Sequence, residues 1–377
     1  MKIVIAPDSY KESLNAMDVA IAIEKGFKHV MPNAEYIKLP MADGGEGTVQ
    51  SLVDATGGEI IEHSVTGPLG EPVTGFYGLM GDGKTAIIEM AAASGLHLVD
   101  PDKRNPMITT TFGTGELIAA VLDKGVEHII VGIGGSATND GGLGMAQALG
   151  IRLLDETGES LGFGGGELSK LHSIDTSGLD PRLAQVRLEV ACDVDNPLCG
   201  PQGASQVFGP QKGATPEMVE QLDRNLVHYS RIIETQLGQD ALNRPGAGAA
   251  GGLGAALMSL LNAELRPGIE IVMDAINLEE TIEHADLVIT GEGRIDSQTI
   301  HGKTPVGIAR VANKHFVPVI GIAGCLSQDC GVVHDHGIDA VFSIVNRSVD
   351  MPTAFAEAAQ NIELTARNIA AMLQLKL

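Results

Sequence analysis

The 377 residues carry a formal charge of −23, from 48 acidic and 25 basic side chains, and 3% of them are aromatic. An acidic surface repels the phosphates of nucleic acid, and few aromatic rings leave few platforms for stacked bases, so nucleic acid is not expected as a partner. The length exceeds that of a usual single domain and predicts two domains, each with its own core.

The beginning of the chain alternates between strand and helix patterns. KIVIA at residues 2–6 is a continuous apolar run of β type, and apolar side chains recur at helical spacing over residues 15–30. EYIKLP then predicts a second strand, and TVQSLVDATGG a helix that glycine terminates. This alternation is typical of a parallel sheet flanked by helices.

Residues 78–85, GLMGDGKT, match the phosphate-loop pattern G-x-x-x-x-G-K-[ST]. A true phosphate loop passes directly into a helix, whereas the apolar run after Thr85 is of β type. Asp82 and Gly83 are the turn pair that a β-hairpin prefers. We therefore predict a hairpin here and a phosphate site elsewhere.

The middle of the chain contains a longer glycine-rich segment, HIIVGIGGSATNDGGLGMAQALG at residues 128–150. It predicts a strand, a loop and a helix, an arrangement in which backbone N–H groups can hold an anion. Its start also matches, weakly, the dinucleotide fingerprint at Gly132, Gly134 and Ala137. An NAD-dependent oxidoreductase therefore stays an alternative at this point.

Strand and helix patterns alternate again after residue 285. ADLVITGEG predicts a strand and a glycine loop, PVGIARVANKH a helix, VPVIGIAG and IDAVFSIV further strands, and residues 353–373 the last helix. We predict an α/β fold with two α/β domains. Residues 1–65 and 285–377 would form a flavodoxin- or Rossmann-like parallel sheet from both chain ends, and residues 66–284 an inserted α/β domain with glycine-rich loops.

Three loops follow the strands KIVIA, EYIKLP and DLVIT, and they read PDSYKES, MADGGEG and GEGRIDSQTIHGK. Ligands of open α/β sheets bind beyond the carboxyl ends of the strands, so these loops are expected to share one rim. Opposite charges beside glycines suit a small anion or a metal-bound phosphate. Each charged residue taken singly could instead cap a helix or form a structural ion pair.

Seven ordered segments carry a resemblance that spans the whole chain: PDSYKESL, PMADGGEGT, GIGGSATNDGG, ACDVDNPLCGPQGA, VFGPQKGA, PGAGAAGGLGAAL and ADLVITGEGRIDSQT. With these segments the chain resembles the bacterial glycerate kinase family, which is distinct from the plant-type enzymes that use a phosphate loop. Tyr10 stands where the family usually has Phe. The resemblance implies a two-domain α/β enzyme that phosphorylates D-glycerate with ATP and Mg²⁺, usually to 2-phosphoglycerate, in sugar-acid catabolism. Formation of 3-phosphoglycerate is the alternative.

Phosphoryl transfer requires cations over the transferring oxygens, a metal ion, and an acceptor for the alcohol proton. We assign Lys11 and Arg294 to the substrate carboxylate or the transferring phosphoryl group. Asp193 is the first choice for the general base, and Asp43 is the second. The predicted metal ligands are Asp195 and Asp296. The predicted substrate- and nucleotide-binding residues are Asp8, Ser9, Gly44, Gly45, Gly134, Gly135, Ser136, Thr138, Asn139, Glu292 and Lys303.

The sequence also predicts a cytoplasmic location. No segment has the eighteen or more apolar residues of a membrane span, and the apolar stretch at the N-terminus is shorter than the core of a signal peptide. The four cysteines lack C-x-x-C spacing, which argues against a zinc site and a disulfide framework. The acidic surface is compatible with a monomer or a homodimer. A sugar-acid sensor without catalytic activity is a third functional alternative.

Overall fold

The structure, a computed structural model, describes residues 1–375. Within them the strands are β1 Lys2–Pro7, β2 Glu35–Lys38, β3 Glu59–Thr66, β4 Pro72–Leu79, β5 Thr85–Glu89, β6 His128–Gly132, β7 Arg152–Leu154, β8 Ser173–Asp175, β9 Arg187–Ala191, β10 Glu264–Arg266, β11 Leu287–Ile295, β12 Val319–Leu326 and β13 Ala340–Ser343. The helices are α1 Ala16–Lys28, α2 Thr48–Thr56, α3 Ala91–Ser94, α4 Phe112–Leu122, α5 Leu143–Ala148, α6 Ala204–Phe208, α7 Pro216–Leu237, α8 Ala249–Leu260, α9 Gly268–Ala275, α10 Leu278–Glu283, α11 Thr304–Lys314, α12 Met351–Ala356 and α13 Ala358–Leu373.

The chain forms two compact units. Unit 1 comprises residues 1–43, 50–57 and those from 269 onward, and unit 2 comprises residues 44–49 and 58–268. β3 belongs with unit 2 because it pairs with β4 along its whole length. The domain boundaries proposed from the sequence, after residues 65 and 284, stay a prediction.

Unit 1 contains a five-stranded sheet in the order β13-β12-β11-β1-β2, and every neighbouring pair is parallel. Counted along the chain within the unit, this is the flavodoxin order 2-1-3-4-5, whose ligand site lies where the order reverses, between the first and third strands. Here those strands are β1 and β11. β1 is apolar and buried over residues 3–6, as expected for a central strand covered on both faces. The predicted α/β class, with a parallel sheet drawn from both chain ends, is confirmed.

Helices α1 and α13 pack closely in unit 1. The Asn15 side chain accepts a hydrogen bond from the Asp18 N–H at 2.8 Å and starts α1. A Cβ on Gly26 would lie 2.4 Å from the Glu363 carbonyl oxygen, so glycine permits this close approach. The prediction of one helix over residues 353–373 is wrong, because α12 ends before Glu357 and α13 starts after it. The apolar spacing continues across this break and does not reveal it.

Unit 2 contains a six-stranded mixed sheet in the order β10-β9-β6-β5-β4-β3, together with the small β7-β8 pair. β5, β6, β9 and β10 run parallel, whereas β3, β4 and β5 are antiparallel neighbours. The GLMGDGKT segment forms the predicted hairpin between β4 and β5. Its turn is held by Asp82, whose Oδ1 accepts hydrogen bonds from the backbone N–H groups of Lys84 and Thr85 at 2.8 and 2.9 Å.

Over residues 1–375, no helix is both long enough and apolar enough to cross a membrane.

Candidate functional site

A cavity of about 570 Å³ lies in unit 1 at the carboxyl ends of the parallel strands. Its walls come from the carboxyl end of β11, the segments that follow β1, β2 and β13, and helices α12 and α13, with a contribution from the end of β12. It therefore occupies the position at which a flavodoxin-like sheet binds ligands. The residues predicted from the sequence that line it are Asp8, Ser9, Lys11, Asp43, Glu292, Arg294 and Lys303.

The charges on the cavity wall are unlike those of the chain as a whole. Four cationic side chains line it, Lys11, Arg294, Lys303 and Arg347, against three carboxyl side chains, Asp8, Asp43 and Glu292. The chain carries −23 overall. A wall with more cations than carboxylates favours an anionic ligand, because local charge raises the ligand concentration in a cleft.

Asp8 is the carboxyl group whose protonation is most clearly perturbed in this cavity. Its Oδ2 accepts a hydrogen bond from Thr304 Oγ1 at 2.7 Å, and its Oδ1 accepts one from the Ser9 N–H at 2.6 Å. Burial raises the pKa of Asp8 to about 6, and the charges on Asp43 and Glu292 add to the shift, while both hydrogen bonds oppose it. A carboxyl group with this pKa exchanges a proton close to neutral pH.

Glu292 lies near the end of β11 and connects two parts of the loop that follows. Its carboxylate accepts a hydrogen bond from Thr299 Oγ1 at 2.6 Å and one from Lys303 Nζ at 3.1 Å. Burial raises the pKa of Glu292, and both partners counteract that shift. Arg294 Nε lies 3.1 Å from Asp296 Oδ2, and 64% of the arginine side chain is exposed. A ligand could therefore reach the Arg294 guanidinium without displacing packed side chains.

The loop after β1 is anchored so that Lys11 stays exposed at the cavity. The buried Tyr10 hydroxyl donates a hydrogen bond to the Ile322 carbonyl oxygen at 2.8 Å, and Ser13 Oγ donates to the Phe355 carbonyl oxygen at 3.0 Å. The tyrosine that departs from the usual family residue thus gains a bond that phenylalanine could not make.

Sequence reasoning missed one side of this cavity. The segment after β13 and helix α12 contribute apolar side chains and two polar ones: Ile344, Val345, Val349, Met351, Phe355, Asn346 and Arg347. No motif distinguishes these residues. Their position after a parallel strand was the available signal, because all carboxyl ends of such strands meet at one edge.

Asp296, the other predicted residue of unit 1, is not among the residues that line the cavity. All others lie in unit 2. The glycine-rich loop after β6 exposes Gly134 and Gly135, whereas Ser136, Thr138 and Asn139 are buried. Helix α5 starts only at residue 143, well after the glycines. A dinucleotide fingerprint requires the helix to open at its glycines, so the loop does not form one.

A buried lysine from the VFGPQKGA segment braces this glycine-rich loop. Lys212 Nζ donates hydrogen bonds to Ser136 Oγ at 2.5 Å and to the Thr138 carbonyl oxygen at 2.6 Å. Burial lowers the pKa of Lys212 to about 7, against the charge of Asp140, which favours the protonated form. The lysine lies 76 residues from Ser136 in the chain, and this separation hides the pair from motif reasoning.

Two further segments contain predicted residues of unit 2: Gly44 and Gly45 of MADGGEG, and the loop that follows β9. Gly44 has φ +90°, and a Cβ there would lie 2.7 Å from Ala191 Cβ, so the backbone packs tightly against the end of β9. Gly45 follows it. Asp193 Oδ1 accepts a hydrogen bond from the Gly268 N–H at 2.9 Å, which fixes the loop after β9. Asp195 is exposed in the same loop.

The family model described as "Glycerate kinase family" matches residues 3–374 of this chain. The chain belongs to the glycerate kinase family. The resemblance predicted from seven sequence segments is thereby confirmed. Family membership covers both units, since the match spans almost every described residue.

Individual relatives support the same membership. The chain is 64% identical over 375 residues to "Glycerate kinase" from Bacillus subtilis (strain 168), covering 100% of this chain and 98% of the relative. It is 61% identical over 373 residues to "Glycerate 2-kinase" from Escherichia coli (strain K12), covering 99% and 98%. A crystal structure assigned as glycerate kinase 2 from Salmonella typhimurium LT2 superposes with a TM-score of 0.93 at 59% identity, covering 99% of this chain and 98% of that one.

Proposed function

We propose that this protein transfers the γ-phosphoryl group of ATP to D-glycerate and releases 2-phosphoglycerate and ADP. Family membership supports the reaction class, and the relative named glycerate 2-kinase supports the position of the phosphate. The observation that carries the proposal is the unit 1 cavity, where cations outnumber carboxyl groups at the ligand end of a flavodoxin-like sheet.

The cations of the cavity bind the anionic parts of the substrates in this proposal. Lys11 and Arg294 contact the glycerate carboxylate or the transferring phosphoryl oxygens, and Lys303 lies beside them on the same wall. Ionised donors make stronger hydrogen bonds to carboxylates and phosphates than neutral donors do. Two of these cations already bind carboxylates of the chain, Glu292 and Asp296, so a ligand would compete with intramolecular partners.

A carboxylate must accept the proton that the glycerate hydroxyl loses when its oxygen forms the new bond to phosphorus and the bond to the ADP oxygen breaks. Asp193 is the proposed acceptor, and Asp43 is the second choice. The structure adds Asp8 as a third candidate, because its pKa of about 6 suits a base that works near neutral pH. Replacing each with the isosteric asparagine ranks the three.

Magnesium is part of the proposal. Over residues 1–375, no group of three or more His, Cys, Asp or Glu side chains could hold a metal ion. Mg²⁺ commonly takes one or two carboxylates and completes its shell with phosphate oxygens and water, so the acidic residues of the chain fit an ion that arrives with the nucleotide. Asp296 in unit 1 and Asp195 in unit 2 are the proposed ligands. When bound, Mg²⁺ offsets the negative charge of the phosphates.

The glycine-rich residues of unit 2 provide main-chain contacts in this proposal. Gly134 and Gly135 expose backbone at the loop tip, and Gly44 and Gly45 belong to the same unit. Buried Thr138 Oγ1 and Asn139 Oδ1 have no hydrogen-bond partner within residues 1–375. Buried polar atoms without partners are rare in folded proteins, which supports a ligand or water near this loop.

Phosphorus NMR of the product from ATP and D-glycerate tests the proposal in one measurement. We expect the signal of 2-phosphoglycerate. A 3-phosphoglycerate signal would retain the kinase and reject the regiochemistry. ATP that persists unchanged, combined with tight binding of a nicotinamide dinucleotide, would favour the oxidoreductase alternative. The proposed cytoplasmic location and homodimer are tested separately, by cell fractionation and by light scattering.

A further inference from the structure

The ammonium group of Lys212 is a buried cation whose hydrogen-bond acceptors are both neutral. The side chain is 2% exposed, and Nζ donates to the Ser136 hydroxyl and to the Thr138 carbonyl oxygen. Burial of an ammonium group without a directly bound carboxylate is costly. This unfavourable burial occurs next to the exposed glycine turn at Gly134 and Gly135.

The groups around Lys212 do not neutralise it by direct contact. Asp140 is the charged side chain that influences it, and this carboxylate already accepts hydrogen bonds from Thr111 N, Thr111 Oγ1, Gly142 N and Gly144 N at 2.8 to 3.2 Å. Burial raises the pKa of Asp140. Next to Lys212 in the chain, Gly213 packs against the Arg104 backbone, while the Arg104 guanidinium Nε donates to the Val99 carbonyl oxygen.

The loop that Lys212 braces has spare hydrogen-bonding capacity. The backbone N–H groups of Gly134 and Gly135 make no hydrogen bond within residues 1–375. The buried Thr138 hydroxyl has no partner in the described part of the chain and can donate a further hydrogen bond. Asn139 Oδ1 is also buried there without a partner, but an amide oxygen only accepts, and the amide nitrogen already donates to Ser205 Oγ at 3.1 Å. Free backbone donors at a glycine turn, in a loop that a buried ammonium group holds at Ser136 and Thr138, are suited to an oxyanion.

We propose that Lys212 is a positioning residue for an oxyanion, a carboxylate or a phosphate, that binds at the Gly134–Gly135 turn. The bound anion holds the ammonium group in its charged form, and the charged group holds the loop through Ser136 and Thr138. Ligand binding and proton uptake by Lys212 are thus coupled. This inference rests on the proposed function, because the two oxyanions considered are the carboxylate of D-glycerate and the phosphates of the nucleotide.

Calorimetric titration at pH 8, in buffers of different ionisation enthalpy, tests the coupling. With a pKa of about 7, Lys212 is largely neutral at pH 8, so complete coupling gives an uptake of roughly 0.9 proton per ligand. D-Glycerate and ADP are titrated separately, and the ligand that shows the uptake identifies the oxyanion. Lys212→Met should abolish the uptake for that ligand and weaken its binding about tenfold or more. The exposed Lys124→Met is the matched control and should titrate as the wild type does.

Equal proton uptake in the wild type and in Lys212→Met, for both ligands, would overturn the inference. If Lys212→Met does not fold, Ser136→Ala replaces it. Loss of this acceptor should lower the pKa of Lys212 further and move the pH of maximal uptake downward, and an unchanged pH dependence would be contrary evidence. Lysine-dependent uptake with ADP in a protein that does not phosphorylate glycerate would reject the proposed function and keep this inference. An active kinase whose proton uptake does not depend on Lys212 would keep the proposed function and reject this inference.

Discussion

In unit 1 the charged side chains stand at the edge of a cavity, whereas the glycine-rich loop of unit 2 exposes backbone and keeps Lys212 buried behind it. The unit 1 charges are partly solvated and already paired, as in Arg294 with Asp296 and Lys303 with Glu292. The cations of these pairs are partly exposed, at 64% for Arg294 and 38% for Lys303, so a ligand can reach them while their carboxylate partners stay largely buried. A buried cation with neutral acceptors destabilises the fold. We infer that the unit 1 cavity would adapt to a bound ligand, whereas the unit 2 loop is organised before any ligand binds.

Among the substitutions that test this comparison, replacement of the proton acceptor is expected to change the catalytic rate most. Asp193→Asn should lower kcat by about 10² to 10⁴, because general base catalysis typically contributes that much. Asp43→Asn and Asp8→Asn, measured beside it under saturating ATP and D-glycerate, show whether the base belongs to unit 2 or unit 1. An Asp193→Asn enzyme with the wild-type rate would move the base to unit 1.

The exposed cations of unit 1 should contribute the next largest effect. Arg294→Ala and Lys11→Ala are each expected to reduce kcat/KM for D-glycerate about 100-fold, since each would remove a charged hydrogen bond to an anion. Steady-state kinetics with varied D-glycerate measures the loss. Arg310, exposed on α11 in the same unit, supplies the control Arg310→Ala, which should remain within twofold of the wild type. Similar losses in all three variants would indicate a general charge effect instead.

The pH profile of kcat/KM should rise as Asp8 loses its proton. This is the profile expected of Asp8 as the third candidate for the proton acceptor: its pKa of about 6 would place the rise near pH 6, because an acceptor carboxyl group must be ionised. In Asp8→Asn this limb should disappear. A base at Asp193 or Asp43 gives no limb that depends on Asp8. A profile that keeps the same acid limb in the variant would assign it to another group.

Asp8 should also make the fold less stable at neutral pH. Its pKa in the folded protein lies above the ordinary value of 3.8, so the folded state binds more protons than the unfolded state between about pH 4 and pH 6. The free energy of unfolding therefore falls as pH rises through that window. Asp8→Asn removes this penalty, and we expect it to be more stable than the wild type by about 1–3 kcal/mol at pH 7. Urea unfolding at pH 7 and pH 4 measures the difference, which should shrink at the lower pH.

The smallest effect is expected in the GLMGDGKT hairpin. Lys84 Nζ pairs with Glu127 at 2.8 Å, and both side chains are exposed. Lys84→Ala should change the KM for ATP less than twofold, because the hairpin does not have the geometry of a phosphate loop. A tenfold or larger rise in the KM for ATP would contradict the conclusion that this hairpin does not bind the phosphates of ATP.

Most of the unit 1 architecture could be predicted, because continuous apolar runs such as KIVIA are typical of buried parallel strands and the apolar side chains of the helices between them recur at helical spacing. The loop residues Asp8, Lys11 and Glu292 could be selected for the same reason, since strand ends fix where such loops meet. The glycine-rich loop of unit 2 was also recognised. The proposed contacts of this loop come from main-chain groups, which leave few side chains for a sequence to reveal.

The omissions have a physical cause. Lys212 approaches its loop through tertiary packing across 76 residues, and QVFGPQKGAT contains nothing that predicts a buried ammonium group. The end of α12 at Ala356 interrupts an apolar pattern that continues through it. Residues 344–347 line the cavity because of their position after β13, and they form no recognisable motif. Patterns along the chain describe local structure well and distant contacts poorly.

The pairing of β1 with β11, in which Ile3 lies opposite Leu287, affects the order in which the two units can fold during translation. The first strand leaves the ribosome long before its central neighbour exists, whereas residues 58–268 can all be present together at an earlier moment. We expect unit 2 to become resistant to protease on stalled nascent chains first, and the N-terminal strand only after residues 287–295 have cleared the exit tunnel. Early protection of residues 2–7 would show that pairing with β2 alone is enough to hold the first strand.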